Sequence, residues 1–203
     1  MLMSAFKNEA YMNFALAEDR RLMTEALDRV KKDLGKTYSL HTAREVNSPT
    51  REILKSFNPA VPSQFIGATE KATLEDAERA IQVVHAGSKE WSRVPFEKRI
   101  ELLEKLADWM TKRKCDLSAL MVYEVGKTWR EADADTCEAI DFCRYYAREM
   151  NRLGHPRVTQ VVPGESDTMT YFPRGVCAVI APWNFPLAIL TGMTVAGLVT
   201  GNT

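Results

Sequence analysis

One polar side chain, Asn184, lies at a turn among bulky apolar neighbours, and its surroundings suit one kind of chemistry. Asn184 is at the centre of the sequence Pro182-Trp183-Asn184-Phe185-Pro186. Its carboxamide can donate hydrogen bonds to an oxygen atom that becomes negative during a reaction, as the donors of an oxyanion hole do. Asparagine is also a common turn-forming residue, so the sequence leaves a purely structural role for Asn184 equally open.

The elements on either side of this turn predict where it lies in a fold. No charged residue occurs in Gly175–Thr203, although Asp, Glu, Lys and Arg make up 27% of the chain. Val176–Ala181 is a short apolar run typical of a fully buried strand. Leu187–Val199 is apolar on every face, which indicates a buried helix with a stop at Gly201-Asn202. Because ligands bind at the carboxyl ends of strands in parallel sheets, the turn is a candidate binding site.

The same uncharged stretch is long enough to be weighed as a membrane span. The two prolines at its centre argue against a span, since they would leave unpaired backbone groups in the lipid. Neither apolar flank reaches the ~20 residues that a spanning helix needs. We therefore predict no membrane association.

The composition excludes several classes of function. Lys plus Arg equals Asp plus Glu at 27 each, so no net charge attracts the molecule to nucleic acid or to an anionic membrane. The cysteines form no C-x-x-C pair and have no nearby histidine, so no metal site is predicted. The N-terminus has no basic segment followed by an apolar core, so we expect a cytoplasmic protein with reduced thiols.

The longest predicted helix runs from Thr128 to about Leu153 and is acidic in its first half. The acidic residues are Glu131, Asp133, Asp135, Glu138 and Asp141. Acidic side chains near a helix N-terminus are stabilising by themselves. Acid–base chemistry would need two carboxylates that face one point, and Glu138 and Asp141, three residues apart, could do so. Both interpretations stay open.

The remaining patterns predict a mixed α/β chain. Its predicted elements are an N-terminal helix over 17–34, strands at 38–46, 51–58 and 64–72, helices from Thr73, after Pro95 and over Cys115–Glu124, and a hairpin of Val158–Val162 with Met169–Phe172. Thr73 and Asp76 form a capping-box pattern. Ala77, Ile81 and Val84 are expected on the buried face of the helix that follows. The N-terminal helix could cover another part of a larger protein or pack on its own domain, and the sequence does not separate the two.

Several motifs resemble the aldehyde dehydrogenase superfamily. They are Pro182-Trp183-Asn184-Phe185-Pro186 after a Gly-Val-x-x-x-Ile strand, and Gly201-Asn202-Thr203 at the end of the following helix. Gly126-Lys127-Thr128-Trp129, Glu131–Asp135 and Glu138–Phe142 are similar to the 1-pyrroline-5-carboxylate dehydrogenase branch, most of all to the stand-alone bacterial type with a helical N-terminal extension. The resemblance runs from about Leu34 to Thr203.

The resemblance implies an aldehyde dehydrogenase-like fold that stops within its Rossmann-like dinucleotide-binding domain. It implies four segments: a helical extension (1–37), the N-terminal part of the NAD-binding domain (38–157), a hairpin of the oligomerisation arm (158–173) and the first strand and helix of the Rossmann-like core (174–203). The cofactor implied is NAD. The roles implied are an oxyanion donor for Asn184, the nicotinamide side of the cofactor site for Ile180, Ala181, Pro182 and Trp183, and the border of the aldehyde pocket for Glu138 and Phe185.

The activity implied is NAD-dependent oxidation of L-glutamate γ-semialdehyde, formed by ring-opening of 1-pyrroline-5-carboxylate, to glutamate in proline catabolism. The nucleophilic cysteine and the basic glutamate of the superfamily are expected beyond Thr203, and none of the four cysteines matches the nucleophile. We therefore expect this polypeptide alone to be inactive and poorly soluble, and the full-length protein to be a homo-oligomer. The alternatives are another aldehyde dehydrogenase, such as one for succinate semialdehyde, and a non-catalytic interaction module.

Overall fold

The computed structural model describes residues 4–41 and 51–203, which form a mixed α/β structure. Its elements are α1 (Ala17–Asp33), β1 (Lys36–Tyr38), β2 (Ile53–Phe57), β3 (Phe65–Glu70), α2 (Leu74–Arg93), α3 (Phe96–Lys112), α4 (Lys114–Val125), α5 (Trp129–Leu153), β4 (Arg157–Gln160), β5 (Asp167–Met169) and α6 (Ala188–Val199). The five helices predicted before the hairpin and the helix after the Pro182–Pro186 turn are all confirmed.

The chain divides into two compact units. The site unit consists of residues 4–9, Val84–Trp109 and Glu138–Thr203. The sheet unit consists of Ala10–Val83 and Met110–Cys137. The candidate residues of the turn, together with Glu138, therefore all belong to the site unit.

A three-stranded sheet organises the sheet unit, in the order β1-β3-β2. β1 runs parallel to β3, and β2 runs antiparallel to it. The predicted strands at 51–58 and 64–72 are confirmed as β2 and β3. The strand predicted at 38–46 is instead Lys36–Tyr38, so the prediction was wrong for the described residues 39–41. The strand starts directly after Gly35, whose φ of +89° turns the chain out of α1. Residues 42–46 of that prediction lie outside the described residues.

The N-terminal helix packs within its own unit. Met23 and Ala26 of α1 are fully buried against Ala119 of α4, with Phe14 and Trp129 beside them. Burial of such side chains contributes about 25 cal/mol for each Å² removed from water. The described contacts of α1 thus favour a helix that packs on its own domain over one that covers another part of a larger protein.

A buried ion pair fixes the start of α2. Arg51 donates two hydrogen bonds to the Asp76 carboxylate, at 2.5 and 2.8 Å, and both side chains are almost fully buried. The predicted capping box is confirmed as well, since Thr73 N donates to Asp76 Oδ2 and Asp76 N donates to Thr73 Oγ1. Hydrogen bonds from Arg51, and then from Thr73, hold the pKa of Asp76 well below its ordinary value near 3.8.

Because of this ion pair, we expect the free energy of unfolding to fall in acid. Because the pKa of Asp76 is lower in the folded state, its contribution is complete above pH ~4 and is lost as the pH falls from there toward the folded value. Urea unfolding between pH 7 and pH 2 should show a smaller acid-induced loss for Asp76→Asn than for the wild type. Asp33→Asn, in the exposed Lys36–Asp33 pair, is the matched control and should change the profile little. Equal pH profiles for Asp76→Asn and the wild type would contradict the prediction.

The structure departs from the sequence predictions at three further elements. The second hairpin strand starts at Asp167 instead of Met169, because the pairing of Arg157 with Met169 and of Gln160 with Asp167 sets the register. The face of α2 that was expected to be buried is open, with Ile81 57% exposed. Helix α6 buries one face only, formed by Ala188, Gly192, Val195 and Val199, so the prediction of burial on every face was wrong.

Candidate functional site

The candidate turn lies at the surface of the site unit. Trp183 and Asn184 form the turn itself, and α6 begins at Ala188, two residues after Pro186. Asn184 is exposed, and so are its neighbours Trp183 (82%) and Phe185 (40%). No hydrogen bond of the Asn184 carboxamide that would make it a turn-closing group is present among the described residues. Its amide can therefore meet a ligand, as the functional interpretation requires.

The segment before the turn is extended but is not a buried strand. Val176–Ala181 forms no ladder with another strand within residues 51–203, and Ile180 is 87% exposed. The prediction of full burial was therefore wrong. A strand is completed by hydrogen bonds to a neighbour, and among the described residues this segment forms its backbone hydrogen bonds with Thr203, the last residue of the sequence.

The hydrogen bonds with Thr203 show that the segment pairs as a parallel strand does. Thr203 N donates to Gly175 O at 3.0 Å, and Cys177 N donates to Thr203 O at 2.7 Å. One residue that bonds in this way to two alternate residues of its neighbour is the pattern of parallel strands. The extended segment, α6 and Thr203 thus have the order of a parallel strand–helix–strand unit. The turn with Asn184 lies at the carboxyl end of the first strand of this unit, where open α/β sheets bind ligands.

Asn202 has a role that the sequence did not reveal. It was expected only to stop α6, and Gly201 with a φ of +93° does turn the chain there. The Asn202 Oδ1 atom also accepts hydrogen bonds from Arg174 N at 2.6 Å and from Gly175 N at 3.0 Å. It therefore fastens the start of the extended segment to the end of α6. No local pattern could have predicted a bond between positions so far apart in sequence.

Of the two carboxylates considered for acid–base chemistry, only one remains a candidate. Asp141 accepts hydrogen bonds from Asn8 Nδ2 and from Glu9 N, both at 2.7 Å. Its two oxygen atoms thus hold the N-terminal segment on α5. Glu138, one turn earlier on α5, is half-buried in the site unit. Because both oxygen atoms of Asp141 accept hydrogen bonds from the N-terminal segment, the described contacts of Asp141 favour a structural role over an acid–base role with Glu138.

The other acidic residues of α5 are structural. Glu131 forms a capping box with Thr128, whose hydrogen bonds lower the pKa of Glu131. Asp135 is fully buried and pairs with Lys127 at 2.6 Å. Asp133 is buried beside Lys114. The favourable placement of acids near a helix start accounts for Glu131, and buried ion pairs account for the other two.

Two of the four thiols, Cys143 and Cys115, do not have the environment of a nucleophile. Burial raises the pKa of Cys143 to about 12 and also raises the pKa of Cys115. A nucleophilic cysteine needs a lowered pKa, usually from a nearby cation or helix N-terminus.

Residues 4–41 and 51–203 contain no cluster of three or more metal-ligating side chains. In the same ranges no helix is long and apolar enough to cross a membrane.

The comparison with known families decides the classification. Residues 46–203 match the model of the aldehyde dehydrogenase family. The chain belongs to the aldehyde dehydrogenase family. The fold predicted from the Pro-Trp-Asn-Phe-Pro motif is confirmed.

Within the family, the chain is similar to 1-pyrroline-5-carboxylate dehydrogenases along its whole length. It is 45% identical to that enzyme from Geobacillus sp. (strain WCH70), with 100% of this chain and 39% of the relative covered. The crystal structure of 1-pyrroline-5-carboxylate dehydrogenase from Thermus with bound NAD matches with a TM-score of 0.93 and 46% identity, covering 100% of this chain and 39% of that one. Proline utilization A from Bdellovibrio bacteriovorus matches with a TM-score of 0.93 and 46% identity, covering 98% of this chain and 21% of that one. The chain thus spans 39% of the length of the first two relatives.

Proposed function

We propose that this chain forms part of an NAD-dependent enzyme that oxidises L-glutamate γ-semialdehyde to L-glutamate. In this reaction the aldehyde, NAD⁺ and water give the carboxylate, NADH and two protons. The observation that carries the proposal is an exposed carboxamide, Asn184, at the carboxyl end of a parallel strand–helix unit in this family. The similarity to 1-pyrroline-5-carboxylate dehydrogenases supports the choice of aldehyde.

Asn184 is proposed to stabilise the oxygen of the reacting carbonyl. As that carbon becomes tetrahedral, negative charge develops on the oxygen, and a donor already in place needs no reorganisation. Helix α6 supports this role, because its first turn holds no acidic residue and its N-cap residue, Leu187, makes no side-chain cap. No side chain of the first turn therefore offsets the positive end of the helix dipole, which favours negative charge at the turn.

The surface around the turn is apolar and exposed. Ile180 and Trp183 present large apolar side chains to solvent, and Ala181 and Pro182 between them carry no charge. A flat aromatic ring covers such a surface well. We propose that these four residues line the nicotinamide side of the cofactor site. When bound, NAD supplies the acceptor for the hydride that leaves the aldehyde carbon.

Glu138 and Phe185 are proposed to border the aldehyde. Phe185 adjoins Asn184 and is partly exposed, and Glu138 is half-buried on α5. A carboxylate at this border can pair with the ammonium group of the semialdehyde, whereas a succinate semialdehyde has no ammonium group. The rate ratio for the two semialdehydes therefore tests the assignment of the substrate.

The test is an assay of the product of the complete gene with 1-pyrroline-5-carboxylate and NAD, followed through NADH formation. Faster oxidation of L-glutamate γ-semialdehyde than of succinate semialdehyde is expected. Absence of NADH formation with either aldehyde would reject the enzyme. The intact mass of the protein from its source cell completes the test, because a mass of 22.9 kDa together with inactivity would favour a non-catalytic interaction module.

The remaining expectations are part of the same proposal. The segment 158–173 is proposed to join subunits of a homo-oligomer, since both strands of the β4–β5 hairpin carry exposed edges. The protein is proposed to act in the cytoplasm on a small-molecule aldehyde, without nucleic acid. Gel filtration of the gene product tests the oligomer.

A further inference from the structure

Helix α6 and helix α5 approach each other very closely at one point. A Cβ atom at Gly192 would lie 2.8 Å from Phe142 Cδ2 and 2.9 Å from two further atoms of the same ring. Separations under 3.0 Å are essentially never tolerated, so only glycine fits at position 192. The Phe142 ring cannot easily give way, because it stacks on Tyr146 with the two planes at 10°. Gly192 and Phe142 therefore set the spacing of the two helices.

These two helices carry the residues proposed to meet the aldehyde. Glu138 precedes Phe142 by one turn of α5 and thus lies on the same face, about 6 Å along the axis. Gly192 is one turn from the start of α6, and Phe185 and Asn184 lie in the turn that leads into this helix. The contact therefore lies about one helical turn from each of the two parts of the candidate site.

The far end of α6 is held in place. Arg99, a buried cation, donates from Nε to Val199 O at 2.8 Å and also bonds to Val94 O. Trp91 Nε1 donates to Leu198 O at 3.0 Å. Because the last turn of α6 is anchored at two carbonyl groups, a push at Gly192 tilts the helix instead of shifting it. The tilt moves the N-terminal end, which is the end that carries Asn184.

We infer that Gly192 and Phe142 are a positioning pair, which fixes the distance between the Asn184 turn and Glu138 and so helps to select the aldehyde. The inference rests on the proposed function. A substrate that extends from Asn184 to Glu138 depends on this distance. A short aldehyde that reaches only Asn184 does not. Displacements of ~1 Å in such sites cost up to about 10²-fold in rate.

The inference is tested by Gly192→Ala in the product of the complete gene. The expected result is a roughly 10-fold lower kcat/KM for L-glutamate γ-semialdehyde, with a much smaller change for propanal, so that the ratio of the two values falls by at least about threefold. Loss of folded protein alone would lower both rates equally and leave the ratio unchanged. The ratio therefore separates positioning from a general structural defect.

Two further variants sharpen the test. Gly197→Ala lies on the same helix, but its Cβ would meet its nearest neighbour, Cys177 Sγ, at an ordinary 3.8 Å, so the ratio should stay at the wild-type value. The double variant Gly192→Ala with Phe142→Leu removes ring atoms from the contact and should restore the ratio to within about twofold.

The possible outcomes distinguish a failure of the positioning role from a failure of the proposed enzyme function. A wild-type ratio in Gly192→Ala, in an enzyme that is active on both aldehydes, would overturn the positioning role alone. An equal shift of the ratio in Gly197→Ala would overturn it as well. Inactivity of the wild-type gene product on both aldehydes would instead reject the proposed function, and this inference with it. Thermal unfolding of the same variants gives a readout without catalysis, with a lower Tm expected for Gly192→Ala than for Gly197→Ala.

Discussion

Replacement of Asn184 by alanine is expected to lower turnover of L-glutamate γ-semialdehyde by about 10²–10³-fold. The carboxamide is the proposed donor to the oxygen that becomes negative, and alanine removes the donor without adding bulk. The effect should fall mainly on kcat, since the bond strengthens as the charge develops and contributes less to the bound ground state. Because the side chain is exposed at the turn, its loss should leave folding unaffected.

Two controls define this experiment. The dissociation constant of NAD should remain near the wild-type value in Asn184→Ala, because the proposed cofactor surface lies at Ile180–Trp183. Asn8→Ala removes an exposed carboxamide that bonds only to Asp141 in the described structure, and its turnover should stay within about threefold of wild type. Turnover of Asn184→Ala within threefold of wild type would remove Asn184 from the mechanism and return it to the role of a turn former.

The helices could be predicted because their signals are local. The capping residues Thr73 and Thr128, the end glycines Gly35 and Gly126, and the inward face of α5 all act within a few residues of each other. A local signal of this kind, such as the capping box at Thr73, places a helix boundary within a few residues. The fold class followed from a short motif, Pro182–Pro186, that joins a strand to a helix.

Burial was predicted less well, because an apolar pattern shows which faces avoid water but not what covers them. Val176–Ala181 and the face of α2 around Ile81 are apolar in sequence, yet both are open in the structure. No described element packs over either surface. The residues around the turn are therefore accessible to a ligand or to another protein segment. The sequence pattern alone could not distinguish these two possibilities.

The roles of the acidic residues in α5 could not be predicted for the same reason, because the sequence does not show which residues contact them. The sequence alone presents the acidic residues of α5 as one cluster and leaves open whether they stabilise the helix or take part in acid–base chemistry. They are Glu131, Asp133, Asp135, Glu138 and Asp141. The structure divides them by partners that are remote in sequence, such as Asn8 for Asp141 and Lys114 for Asp133. Only the fold brings these partners to the helix. Glu138 remains the member of the cluster that is proposed for the site.

The largest expected effect on stability comes from one of these partners, Lys114. Its side chain is 11% exposed, and Nζ lies 3.2 Å from Asp133 Oδ1 and donates to Ala10 O at 2.5 Å. Burial lowers the pKa of Lys114, but bonding to Cys137 and the charge of Asp133 outweigh it, so the pKa lies above the ordinary value and the group is charged. This ammonium group holds the N-terminal segment, α4 and α5 together in the sheet unit.

Lys114→Met is therefore expected to destabilise the chain by about 3–5 kcal/mol. Asp133 is only 2% exposed, and its Oδ1 atom faces the ammonium group without an aligned hydrogen bond, so it depends on the opposite charge. Methionine keeps most of the buried volume but leaves the carboxylate uncompensated. Urea unfolding of the variant and the wild type at neutral pH measures the difference.

Arg29→Met is the matched control, because Arg29 joins α1 to α4 through Asp116 at 2.7 Å in the same unit, but at an exposed position. Exposed pairs contribute about 0–1 kcal/mol, since water already solvates both charges. A double variant, Lys114→Met with Asp133→Leu, removes both charges and should recover most of the loss, because the cost lies in the unpaired carboxylate. Equal destabilisation by Lys114→Met and Arg29→Met would show that the buried pair contributes no more than an exposed one. In that case the N-terminal segment would be held on α5 by its packing and its remaining hydrogen bonds, such as that from Met12 N to Asp133 Oδ2.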